Sequence, residues 1–288
     1  MASPNVRFLV FDVESVADGE LIAKVRYPGE SLTAAEAIRR YRAERQEQYG
    51  TDFIPYPYQV PVAIVVAKVS PSYELLDVVA LDEPQPRPHV LTKNFWRGWE
   101  MYGRPTLVSF NGRSFDLPLL ELAAFRYGIS LAGWLDVNKP SYQQHRYRYN
   151  LDGQTDLLDL LTNFGAVRFS GGLNLAASLL GKPGKTDVQG AMVQDMYDAG
   201  QLQEIIHYCR RDVLDTYFVF LRAALLLGNI SLEREQAIVA QTKQWLTDRA
   251  PSVPAFREYM EHWGDWPNPW TEEVVVGRPA ATEPPPGN

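Results

Sequence analysis

Apolar residues come in two patterns along the chain, and the pattern at each point predicts the element. Phe8, Leu9, Val10 and Phe11 are four apolar residues in a row, which marks a strand over 7–14 buried on both faces. The β-branched runs 61–69 and 73–81, joined by Ser70, Pro71 and Ser72, read as a hairpin that adds antiparallel strands to the first. A further short buried strand spans 106–110. Between the strands the period lengthens. Thr33 and Glu36 form a capping-box pattern, flanked by Leu32 and Ala37 as a staple, and the helix they open runs to Tyr49, with Gly50 as its stop. Helices are also expected over 90–102, 116–127, 155–164, 173–180 and 190–199. The longest covers 202–227, with Ile205, Ile206, Cys209, Val213, Tyr217, Phe220 and Leu221 as its apolar stripe. Residues 15–32 read as loop and 51–59 as extended chain.

Beyond 228 the character changes. Helices are expected over 231–249 and 254–263, then an irregular stretch containing Trp263, Trp266 and Trp270, then a Pro-rich tail. The chain is therefore expected to be α/β, divided into a main domain (1–228), a helical and aromatic extension (229–275) and a flexible tail (276–288).

Composition narrows the function classes. With 288 residues, 45% of them hydrophobic, the chain can bury a large core. A net charge of −7 argues against binding nucleic acid through global basic charge, but leaves room for local basic patches. The single cysteine, Cys209, excludes an internal disulfide framework and a cysteine-based zinc site, and fits a reducing compartment. No apolar run approaches the roughly 20 residues needed to span a bilayer, and residues 1–4 do not have a signal-peptide shape. The expectation is a soluble, cytoplasmic protein with no membrane contact.

The first strand carries the chemistry. Asp12 and Glu14 are two apart, so their side chains share one face. Two like charges at the end of a buried strand are costly unless a cation sits between them, and a divalent metal is the usual solution. Two further acids are candidates for the same site. Asp116 follows the turn Asn111-Gly112, where it also suits a helix N-cap; Asp212 lies on the long helix, one turn after Tyr208. Two other features each allow a bland and a sharp reading. Arg39, Arg40, Arg42 and Arg45 make either a solvated helix face or a phosphate-facing lid. The loop 138–150, with Tyr142, His145, Arg146, Tyr147, Arg148 and Tyr149, is either ordinary surface or a place where unpaired bases stack.

The order and settings of these residues resemble the DEDDy subgroup of 3'–5' exonucleases, the class of the proofreading domains of family A and B DNA polymerases. Its first motif, Asp-x-Glu on the first strand, is matched by Asp12 and Glu14. Its second, an Asn followed by Phe-Asp, is matched by Asn111, Phe115 and Asp116, and its third, Tyr-x-x-x-Asp, by Tyr208 and Asp212. Within that class the chain is most similar to the free-standing predicted exonucleases related to the family B polymerase exonuclease domain. The residues that carry this likeness are 181–185, Asp187 with Gly190, and the run from Tyr208 through Val213 to Thr216 and Tyr217. The resemblance covers roughly 6–226 and not 229–288. It departs where Gln154-Thr155-Asp156 stands in place of a His ahead of the Asp-Leu run; Asp156 itself reads as a helix N-cap.

The resemblance implies a ribonuclease-H-like mixed β-sheet flanked by helices, and two Mg²⁺ or Mn²⁺ ions about 4 Å apart. Oxygen ligands without His or Cys suit these ions. Asp12 would bridge both, Glu14 and Asp212 would hold the ion carrying the attacking water, and Asp116 the other; Tyr208 would position the water. Asn111 and Phe115 would meet substrate, and Lys182, Lys185 and Arg211 would contact phosphates. The implied substrate is the 3' end of a single-stranded nucleic acid, DNA ahead of RNA. An RNA-trimming exoribonuclease on the same fold and a non-catalytic nucleic-acid- or partner-binding module remain as alternatives. The aromatic segment 245–270 is either a dock for a protein partner or a brace packed back on the domain.

Overall fold

The structure is a computed structural model and describes residues 5–184 and 190–271. Its centre is a five-stranded sheet formed by β1 (Phe8–Ala17), β2 (Gln59–Val69), β3 (Leu75–Ala80), β4 (Thr106–Ser109) and β5 (Gln154–Asp156), in the order β3-β2-β1-β4-β5. β1 pairs antiparallel with β2, and β2 with β3; β1–β4 and β4–β5 are parallel. An antiparallel hairpin on one side of a central strand and parallel crossovers on the other make the mixed ribonuclease-H-like sheet.

Alternation along β1 divides the core. Leu9, Phe11 and Val13 face one layer, where α3 (Pro88–Met101) and α4 (Asp116–Tyr127) bury Leu91, Phe95, Trp96, Trp99 and Leu120. Trp134, on the short α5 (Ala132–Leu135), joins that layer. Val10 and Val16 face the other layer, which contains α6 (Leu157–Leu161), α7 (Gly172–Ser178), α8 (Val193–Asp198) and α9 (Leu202–Leu226). The residues of β1 that share a face with Val10 and Val16 include Asp12 and Glu14, so strand parity turns both acids toward α9.

Several elements differ from expectation. β1 continues past Glu14 through a register shift against β2, and the stretch expected as loop contains α1 (Gly19–Arg26), capped by Asp18, which accepts from Leu21 N at 3.0 Å. α2 (Ala34–Tyr49) has the capping box as read: Thr33 N donates to Glu36 at 2.8 Å and Glu36 N to Thr33 Oγ1 at 3.3 Å, and Gly50 ends the helix at φ 70°. Ile22, Tyr27, Ala37, Tyr41 and Ile54 give this α1–α2 pair its own small core. Residues 154–156 are a strand rather than part of a helix, because they pair with β4, and α6 stops at Leu161.

α10 (Leu232–Arg249) and α11 (Pro254–Glu261) pack on α9. Ile238, Leu246, Phe256 and Tyr259 are buried in the same core as α9, so the apolar interior continues past residue 228. The tail 276–288 lies outside the described residues. Among the described residues no helix is long and apolar enough to cross a membrane.

Candidate active site

Strand β1, the turn after β4 and helix α9 supply the acidic residues. Glu14 is 8% exposed, Asp116 7% and Asp212 5%, while Asp12 is half-buried. Asp12, Glu14 and Cys209 each place one ligand atom within 4.8 Å of the others. The Cys209 thiol donates to Asp12, its Sγ lying 3.4 Å from both Oδ2 and the main-chain oxygen. Burial, with Asp12, Glu14 and Asp212 around it, pushes this thiol well above its usual range. The thiol thereby serves as a hydrogen-bond donor that orients the Asp12 carboxylate. The sequence places Cys209 in the apolar stripe and in the run from Tyr208 to Val213, without a role toward Asp12; its position beside Tyr208, on the helix that faces β1, is the available signal.

Tyr208 is buried, and the same three acids surround it. Burial first, then the charges of Asp212, Glu14 and Asp12, hold its hydroxyl far above the usual phenol range, so it remains a proton donor. Asp116, at the start of α4, lies close to Asp12 and Val13 of β1. Burial and the nearby charges of Asp12 and then Asp156 raise its carboxyl well above the ordinary carboxylate range, against backbone N–H bonds from Val13 and its own residue. The expected N-cap role fails for this reason. Phe115 occupies the N-cap without a side-chain bond, and Asp116 is the first helical residue, with its carboxylate turned toward β1. A Cβ on Gly112 would run into Ser109 and come within 3.2 Å of Asp116 Oδ2, so only glycine fits under that carboxylate.

The turn that carries Asn111 and Gly112 hangs on Asp156. Its buried carboxylate accepts from Asn111 N at 3.0 Å and Arg113 N at 2.8 Å, and it caps α6 through Leu158 N at 3.0 Å and Asp159 N at 3.3 Å. Asp156 is the N-cap expected, and it also anchors the turn that leads to Asp116. Asn111 is exposed, in the left-handed region at φ 65°. Phe115 is half-buried, its ring 5.8 Å from that of Phe53, which is exposed.

Two of the cations assigned to phosphates, Lys182 and Arg211, are engaged by the C-terminal extension. Lys182 is 5% exposed, donates to Gly264 O at 2.8 Å and lies 3.7 Å from the centre of the Trp263 ring. Arg211 pairs with Glu258 of α11. Both serve the packing of the extension. Lys185 and Asp187 fall outside the described residues. In the 138–150 loop Arg146 pairs with Glu121 at 2.7 Å and Arg148 with Asp159 at 2.7 Å, leaving Tyr142 and Tyr149 exposed. On α2, Arg40 pairs with Glu30 and Glu44 and stacks over Tyr27, and Arg45 donates to Phe53 O. Arg40, Arg146, Arg148 and Arg211 are thus each paired with a carboxylate within the molecule.

The donors gathered around β1 are carboxylate oxygens, buried or half-buried and mutually repulsive, and a site of that kind fits a hard divalent cation. Such an acidic cluster on a ribonuclease-H-like sheet defines a class of protein, and comparison with known proteins gives the family. Residues 51–270 match the family described as predicted 3'-5' exonucleases related to the exonuclease domain of PolB, and the chain belongs to that family. The match begins after Asp12 and Glu14 and runs on through α10 and α11, so the helical extension, outside the resemblance drawn from the motifs, lies within it. Among solved structures the chain is similar to the family B DNA polymerase from the hyperthermophilic archaeon Pyrobaculum calidifontis. The identity is 16% and the TM-score 0.42, over 87% of this chain and 30% of the polymerase, so the chain spans less than a third of that protein's length. No curated protein matches.

Proposed function

We propose that the protein is a two-metal-dependent 3'–5' exonuclease that releases nucleotides from the 3' end of single-stranded nucleic acid, with DNA as the preferred polymer. The observation that carries this reading is the convergence of Asp12 and Glu14 with Tyr208 and Asp212 on one face of β1, with Asp116 reaching the same strand from α4. The preference for DNA rests on the family's relation to PolB.

Asp12, Glu14, Asp116 and Asp212 would hold Mg²⁺ or Mn²⁺. When bound, such ions acidify the attacking water and neutralise charge on the phosphodiester and its leaving oxygen. The residues have their own tasks. The Cys209 thiol fixes the Asp12 carboxylate. Tyr208 stays protonated and positions water as a hydrogen-bond donor, not as a base. Asp156 fixes the turn after β4, so that Asn111 and Phe115 meet the nucleotide beside Asp116.

The test is a gel assay with 5'-labelled single-stranded DNA and RNA of one sequence, with free or phosphate-blocked 3' ends, in Mn²⁺ or Mg²⁺. The wild type should shorten the free-ended DNA from its 3' end. Asp12→Ala should fall to background, whereas Tyr208→Phe should lose about tenfold, the worth of one hydrogen bond of ~1.4 kcal/mol. Faster cleavage of RNA would reverse the polymer preference, and no cleavage of either polymer would overturn the reading.

A further inference from the structure

Helix α11 grips α9 next to its functional residues. Arg211, just before Asp212, pairs with Glu258, and Asp215, three residues after it, accepts from the Tyr259 hydroxyl at 2.7 Å. Asp215 and Tyr259 are both fully buried. One turn on, Phe218 stacks on Tyr259 at 6.3 Å and meets Trp263 edge-on at 5.2 Å, and the Lys182 bond to Gly264 closes the far end. At about 100° per residue, Arg211 and Asp215 lie within roughly 60–100° of Asp212 around the helix axis, so the gripped face adjoins the site face.

A brace needs only apolar burial, and Ile238, Leu246 and Phe256 already provide it. A buried carboxyl one turn from another acid is a costly way to add stability. What a buried polar pair does well is fix one rotation and one axial register. We propose that α11 sets the position of α9, with Tyr259 acting through Asp215 and Glu258 through Arg211, so that Asp212 and Tyr208 meet Asp12 and Glu14. Tyr259 and Glu258 are then positioning residues for the metal-binding site. The inference rests on the metal-dependent reading above.

Metal demand separates positioning from bracing. Tyr259→Phe keeps the ring and removes the hydroxyl, Glu258→Gln keeps the size and removes the charge, and Phe256→Leu weakens the same packing without touching either polar contact. Each full-length variant is titrated with Mn²⁺, reading nucleotide release from labelled single-stranded DNA, Mn²⁺ binding by calorimetry and metal-free melting. Tyr259→Phe and Glu258→Gln should each need about tenfold more Mn²⁺ for half-maximal release, with activity recovering at saturation, as expected when support for a ligand is lost. Phe256→Leu should melt lower and keep the wild-type Mn²⁺ requirement. Superimposed Mn²⁺ curves for the wild type and the two polar variants would overturn positioning, and so would an equal shift in Phe256→Leu. A wild type that neither binds Mn²⁺ nor releases nucleotide would overturn the functional reading, and this inference with it.

Discussion

Asp215 shows how one buried group links stability to pH. Burial pushes its carboxyl up to about 8; the Tyr259 hydroxyl bond pulls it down and the nearby Asp212 charge adds to the rise. The unfolded chain releases that proton near pH 4. The folded protein therefore holds a proton between about pH 4 and 8 that the unfolded chain has lost. The stabilisation from this group is complete below the unfolded value and disappears as pH rises through the folded one. Asp215→Asn keeps an acceptor for Tyr259 and removes the titration. Across pH 4.5–8.5 the melting temperature of the variant should rise relative to the wild type, and parallel curves would refute the assignment.

Among the elements, the turn after β4 is the most exposed to a single change. Asp156→Ala strips a partner from four backbone N–H groups, two in the turn and two at the start of α6. At about 1–3 kcal/mol for each buried donor left unsatisfied, with water reaching some of them, the loss should be at least ~3 kcal/mol by denaturant titration. Nucleotide release should fall further than the melting temperature alone explains, since Asp116 follows the turn. Sequence pattern made the elements with strong local signals legible: β1 by its apolar run, α2 by its capping box, α9 by its stripe. It missed α1, where Ile22 is the one large apolar side chain that is buried and the apolar residues form no helical stripe, and β5, three residues that become a strand only by pairing with β4. Asp12 with Glu14 was legible as a pair through strand parity, and Tyr208 with Asp212 through helical spacing, both local rules, whereas Asp116 joined them only through the resemblance. The surroundings of Lys182, Arg211 and Cys209 were not. Their partners Gly264, Glu258 and Asp12 are 82, 47 and 197 residues away in the chain.

For the whole molecule, two expectations follow from how its parts share a core and a charge cluster. Deleting 229–288 removes Ile238, Leu246, Phe256 and Tyr259 and bares the α9 face they cover, so the shortened chain should lose solubility and melt earlier. Unchanged melting would count against a shared core. Mn²⁺ should raise the melting temperature of the intact chain, because only the folded state brings the carboxylates together. At a hundredfold excess over its dissociation constant the gain is about 2.7 kcal/mol, and Asp12→Ala should remove most of it. The first acid sits at position 12, the last at 212, and the residues that grip α9 at 258 and 259. During synthesis, then, Asp12 and Glu14 are made well before Asp212 and the residues that support it. On the proposed reading, a growing chain that holds only Asp12 and Glu14 carries half of a metal site, and the site is completed only when α9 and its support dock on β1.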